Sequence, residues 1–79
     1  MIKLKNIAKN DNIISCDIYP EDCILPGTLS CDANRRDIIE YHLPDGYEWC
    51  KKHVYHALET ILSMVDKDEL LKEKTIMWI

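Results

Sequence analysis

Residues 48–56, with the sequence EWCKKHVYH, concentrate side chains that could bind a metal ion or take part in acid–base chemistry. They include one thiol and two imidazoles, from Cys50, His53 and His56, beside the indole of Trp49. Ligands three or four residues apart on a helix can share an ion, but a third ligand six residues along points elsewhere. The spacing therefore predicts no three-ligand site, and favours a buried thiol beside two surface imidazoles.

Three more cysteines, at positions 16, 23 and 31, lack the tight Cys-x2–4-Cys spacing of zinc sites. The N-terminal residues have no signal-peptide core, so free thiols in a reducing cytoplasm are expected. If the strands flanking residues 20–27 pair symmetrically, Cys16 lies opposite Cys31 and Cys50 covers both from a helix. Two interpretations stay open. These three thiols form a metal or redox cluster, or, as we favour, they act as small hydrophobic side chains.

The composition limits the classes of function. The 79 residues predict a single domain, and 10 Lys and Arg against 14 Asp and Glu give a net charge of −4. That charge disfavours nucleic-acid binding, and no apolar run is long enough to cross a membrane. With two glycines and no nucleophile motif, the sequence predicts neither an enzyme nor a bound cofactor.

Alternating apolar and polar residues predict strands over residues 2–7, 13–19, 28–33 and 38–43. The segments between them are rich in Asn, Asp, Pro or Gly, which favour turns. Short connections of this kind indicate an antiparallel meander with one apolar face. The predicted core residues of that face are Ile2, Leu4, Ile14, Cys16, Ile18, Leu29, Cys31, Ile39, Tyr41 and Leu43.

Residues 47–66 contain neither Pro nor Gly and predict a long amphipathic helix across the sheet. Asp45 is the expected cap, with Glu48 completing a capping box. The predicted apolar stripe consists of Tyr47, Cys50, Val54, Ala57, Leu58, Ile61 and Val65. The next segment, DKDELLKEK, is expected to add a helical turn, and the terminal TIMWI, residues 75–79, a short fifth strand. The overall prediction is one α+β domain over residues 1–79.

The helix face opposite the apolar stripe carries the predicted contact residues, Trp49, His53, His56 and Thr60. An exposed Trp flanked by His is typical of a surface that binds a partner. The alternative is that the C-terminal segment covers the indole. A second contact surface is expected around Tyr19, on the outer face of the sheet. The sequence therefore predicts a non-enzymatic module that binds another protein or self-associates, for example as a homodimer.

Two segments, KNDNIISCDIYPED and KEKTIMWI, resemble parts of small uncharacterised proteins from Gram-positive bacteria and their phages or mobile elements. In that family a similar hairpin opens the chain and a similar strand closes it, commonly with a Tyr where this chain has Ile79. The resemblance implies an α+β fold and structural roles for both segments. It implies no catalytic residue.

Overall fold

The structure is a computed structural model that describes residues 1–78, and its fold is α+β, as predicted. The elements are β1 (Ile2–Asn10), β2 (Ile13–Pro20), β3 (Gly27–Asp32), β4 (Asp37–His42), α1 (Lys51–Asp66) and β5 (Lys74–Ile76). The strands form one antiparallel sheet in the order β4-β3-β2-β1-β5. The meander, its covering helix and the fifth strand are confirmed. Ile79, the end of the predicted last strand, lies outside the described residues.

The core lies between α1 and one face of the sheet. The alternating positions predicted for β1, β2 and β3 are buried, and on α1 the predicted residues Val54, Ala57, Leu58 and Ile61 meet them. Burying one such aliphatic side chain contributes about 1.5–3 kcal/mol, so this single layer supplies most of the driving force for folding. The helix also buries Leu62 and Met64, which lie outside the predicted stripe, whereas Val65 is only partly buried.

Two bulges, one in β1 and one in β4, change which residues of these strands face the core. In β1 the register shifts between Lys5 and Ala8, where Asn6 adopts a left-handed φ of 54°, and Ile7 is buried as a result. In β4 a second shift aligns Ile38 with Cys31 and leaves Ile39 52% exposed. The prediction that Ile39 belongs to the core is therefore wrong, because a bulge inserts one residue and breaks the alternation.

The helix begins later than predicted. It starts at Lys51, and Cys50 occupies the N-cap without a side-chain hydrogen bond, so neither the cap by Asp45 nor a helical Tyr47 is correct. The Glu48 carboxylate instead accepts a hydrogen bond from the Gly46 N–H at 2.8 Å, which stabilises a turn at Gly46, with its φ of 86°. Such local side-chain to backbone bonds compete with helix formation.

The connection from α1 to β5 does not add a helical turn as predicted, but is a turn at residues 67–68 followed by irregular chain. It packs along β1, where the Ile7 N–H donates to the Lys72 carbonyl at 2.8 Å. Leu70 is partly buried against the core and Leu71 is 48% exposed, so only one of the two leucines of this connection contributes to the core. In the described part of the chain, no helix is both long and apolar enough to cross a bilayer.

Candidate functional site

One end of the sheet gathers exposed apolar side chains. We call this the apolar end and define it as residues 20–27, 43–50 and 77–78. There β2, β4 and β5 finish while β1, β3 and α1 begin. Among the large hydrophobic residues described, the four most exposed all lie there: Ile24 at 87%, Leu25 and Met77 at 76%, and Trp49 at 67%. The others that are exposed, at other places on the molecule, range from 39% to 52%.

Glu21 joins three segments at the apolar end. Its Oε2 lies 2.8 Å from His53 Nε2 and 2.7 Å from the Met1 amino nitrogen, while its N–H donates to the Met1 carbonyl. The hydrogen bond from the amino group, followed by that from His53, holds the pKa of Glu21 below its usual value. The carboxylate is therefore ionised at neutral pH and accepts both bonds, so Nε2 of His53 is the donor in their contact.

Trp78 covers the imidazoles of α1. Its ring stacks on His56 with centroids 4.1 Å apart, and meets His53 in a T-shaped contact at 4.8 Å. Trp49 makes a second T-shaped contact with His53 at 5.6 Å. His53 is consequently buried, with 8% exposure, and its Nδ1 has no hydrogen-bond partner in the described chain. The prediction of an outward His53 is wrong because the C-terminal segment crosses this helix face.

The predicted contact residues divide into two groups. Trp49, His53 and His56 come together, and Trp49 is exposed as expected. Thr60 lies one turn further along α1, beside a groove next to Lys74, and Tyr19 lies on the outer sheet face with the Lys5 ammonium 5.2 Å from its ring centre. Neither belongs to the apolar end.

Glu21 and Trp78 contact the same group of side chains as Trp49, His53 and His56, although nothing in the sequence indicated this. Glu21 follows Pro20 directly and adopts a left-handed φ of 52°, a conformation that Asn or Gly adopts more readily. A long side chain held in this conformation marks a position fixed by tertiary contacts. Trp78 lies in an apolar C-terminal segment, and such a segment is expected to be buried. The sequence does not show which face of α1 this indole covers.

The cysteines do not converge. Cys16 pairs with Leu29 and Cys31 with Ile14, so the two thiols are diagonal neighbours on the core face and not directly opposite, as predicted. Cys50 lies at the apolar end, where burial raises its pKa, assisted by the charges of Glu21 and Cys23. Among residues 1–78, no three His, Cys, Asp or Glu side chains are placed to bind a metal ion. The convergence of Cys16, Cys31 and Cys50 that symmetric strand pairing would give is therefore wrong.

The buried thiols have the properties of core side chains. Desolvation, then the neighbouring Cys31 and Asp17, raises the pKa of Cys16 to about 12. Burial also raises the pKa of Cys31. Because the thiolate is the reactive and metal-binding form, these shifts favour the interpretation of Cys16 and Cys31 as small hydrophobes.

A groove separates the β2–β3 connection from the β4–α1 connection. The Tyr47 hydroxyl donates to Asp22 Oδ1 at 2.8 Å across one side of it, and this bond raises the Tyr47 pKa. The groove encloses about 660 Å³. At Gly27, on its wall, any Cβ would collide with the His42 carbonyl oxygen, so glycine permits the close approach of β4.

The chain was compared with models of protein families, with curated proteins and with solved structures, and no match was found. What points to a function is therefore the geometry of the apolar end. It contains a fastened set of loops, a buried imidazole, an exposed indole and a groove with apolar walls. Such an arrangement presents an apolar surface on loops that are joined by hydrogen bonds, and the His53 imidazole in it is already bonded to Glu21.

Proposed function

We propose that this protein is a small non-enzymatic interaction module that binds a protein partner through the apolar end. The observation that carries the proposal is the concentration of Ile24, Leu25, Trp49 and Met77 at one end of the sheet. Isolated exposed apolar residues are ordinary, but grouped ones are typical of binding surfaces. Removing them from water on association would provide a favourable free energy of roughly 25 cal/mol per Å².

The fastening of the loops supports binding by a preformed surface. The hydrogen bonds Glu21–His53 and Asp22–Tyr47 tie the β2–β3 connection to the segment that contains Trp49. A surface that is already ordered loses less conformational entropy when a partner docks. Tryptophan is also enriched among the residues that dominate binding energy at protein interfaces.

The environment of His53 supports binding over catalysis. A general base must reach the proton that it removes. Here Nε2 is engaged by Glu21 and the ring packs against the indoles of Trp49 and Trp78. The imidazole therefore serves to fix Glu21 and the loop that follows it, and the Glu21–His53 pair is a structural link beneath the contact surface.

Site-specific photo-crosslinking tests the proposal. Benzoylphenylalanine is introduced in place of Leu25 or Trp49, and in place of Leu71 as a control that is also exposed but lies at the other end of the sheet. On irradiation in the host cell, we expect adducts of one defined mass from the two apolar-end positions and none from Leu71. Adducts from Leu71 alone, or none from either apolar-end position, would contradict the proposal.

The mass of the adduct identifies the kind of partner. An adduct of twice the chain mass of 9.3 kDa means self-association, and a different mass means another protein. Circular dichroism of each variant before irradiation establishes that the substituted chain is folded. Both positions have largely exposed side chains, so replacement there is expected to leave the core unchanged.

A further inference from the structure

The groove at the apolar end has apolar walls and acidic charge. Ile24, Leu25 and Pro26 form one wall, and Leu43 and Pro44 contribute to the other. Its volume of about 660 Å³ falls within the range of about 300–1,000 Å³ that is usual for ligand pockets. The apolar walls would therefore accept an aliphatic side chain.

The charge of the groove lining has one sign. Asp22 and Asp45 are its only Asp, Glu, Lys or Arg residues among those described. Asp22 accepts the Tyr47 hydroxyl, a neutral donor that leaves the carboxylate charge uncompensated. Asp45 is exposed and has neither a hydrogen bond nor an ion pair in the part of the chain that the structure describes. A cation entering the groove would thus meet two carboxylates.

We propose that the groove binds an extended segment of a partner protein in which Lys or Arg neighbours a Leu-like side chain. The aliphatic group packs between Leu25 and Leu43, and the cation pairs with Asp45 at the rim. This inference rests on the proposed function, because it names the chemistry of the partner for the same end of the molecule. Charge complementarity selects the cation, and the apolar walls select its neighbour.

The test titrates the ¹⁵N-labelled full chain with short peptides while amide chemical shifts are recorded. The probe is the blocked hexapeptide Gly-Leu-Lys-Leu-Lys-Gly, with Glu in place of Lys as the charge control and Ala in place of Leu as the apolar control. We expect shifts at residues 22–28 and 42–47 with the probe. We expect the Glu peptide to bind at least about threefold more weakly, because it loses the ion pair at the rim, and the Ala peptide roughly tenfold more weakly, because it loses the buried aliphatic group.

Matched variants test which residues supply the ionic and the apolar contributions to peptide binding. Asp45→Asn is expected to weaken probe binding roughly threefold, while Asp11→Asn, the same charge change at the other end of the sheet, leaves it unchanged. Leu25→Ala is expected to weaken it roughly tenfold, and Leu71→Ala has no effect. The four positions are exposed, so the variants are expected to fold, and their spectra without peptide verify that.

The outcomes separate this inference from the proposed function. Equal binding of the Lys and Glu peptides, or an unchanged affinity in Asp45→Asn, overturns the assignment of a cationic partner. Shifts outside the groove overturn its location. Self-association that is abolished by Leu25→Ala shows that a second copy fills the groove, and overturns the inference while the contact surface stands. The proposed function itself fails when the photo-crosslinks at Leu25 and Trp49 are missing.

Discussion

The two ends of the sheet are built differently. The opposite end, which we call the polar end, consists of residues 10–12, 33–36 and 67–73. Its β3–β4 turn closes locally, because the Asn34 and Arg35 N–H groups both donate to Asp32 Oδ1 at 2.9 and 3.1 Å. The apolar end is closed by side chains distant in sequence, since Glu21 meets His53 across 32 positions and Asp22 meets Tyr47 across 25.

The polar side chains have different surroundings at the two ends. At the polar end Asp32 satisfies the backbone of its own turn, and one exposed pair, Arg36 and Asp66, ties the start of β4 to α1 across 30 positions of sequence. At the apolar end the polar side chains hold loops together beneath exposed hydrophobic residues. Stability alone does not require Ile24, Leu25 and Trp49 to face water, so this arrangement supports the proposed contact surface.

The largest expected contrast compares two leucines four positions apart in sequence. Leu29 is 1% exposed in the core and Leu25 is 76% exposed at the apolar end. Leu29→Ala should lower the free energy of unfolding by about 2–5 kcal/mol, because it leaves a cavity. Leu25→Ala should change it by less than about 0.5 kcal/mol. Urea denaturation measures both, and a comparable loss from Leu25→Ala would mean that this side chain supports the fold.

The next effect concerns Glu21, whose pKa is lowered by the amino group and His53. A depressed carboxyl pKa adds stability above the ordinary value of 4.5, and this contribution is lost as the pH falls through the lowered pKa. Glu21→Gln should therefore have a lower thermal midpoint than the wild type at pH 7. The two midpoints should converge on acidification. Glu59→Gln on the exposed face of α1 is the control, and a constant difference at all pH values would contradict the linkage.

Thiol reactivity should differ between cysteines by their burial. Cys23 is partly exposed at the apolar end, whereas Cys16, Cys31 and Cys50 are buried. In the folded chain we expect iodoacetamide to modify Cys23 first, and all four cysteines after unfolding in urea. Mass spectrometry of the labelled peptides gives the order. Rapid native labelling of Cys16 or Cys31 would contradict their placement in the core.

The smallest effect is expected at the polar end. Arg36 and Asp66 form an exposed ion pair with N–O distances of 2.8 and 3.0 Å, which lowers the pKa of Asp66. A double-mutant cycle with Arg36→Ala and Asp66→Ala should show a small favourable coupling that declines in high salt. A coupling that does not change with salt would mean that the pair is shielded from solvent.

The elements that form locally were predictable from the sequence. The alternation of Ile14, Cys16 and Ile18 identified the buried face of β2, and the Asn and Asp residues identified both turns of the polar end. The bulge beside Ile38 was not predictable, since an inserted residue leaves no periodic signal. The start of α1 was missed because Glu48 bonds to the Gly46 N–H, a local alternative to capping.

The candidate site was only partly predictable for a related physical reason. Exposure of Trp49 follows from its position relative to the apolar stripe. Burial of His53 depends on Trp78, which reaches α1 only because β5 pairs with β1 and delivers the C-terminal segment to that helix face. Contacts set by strand order over such separations leave no periodic pattern in the sequence.

Hydrogen–deuterium exchange of the chain, free and in the complex recovered by crosslinking, tests the central claim most directly. We predict that partner binding slows exchange in residues 20–27 and 43–50, and leaves the polar end and the outer sheet face around Tyr19 unchanged. Protection concentrated on that sheet face or at residues 33–36, with the apolar end exchanging as in the free chain, would contradict the account.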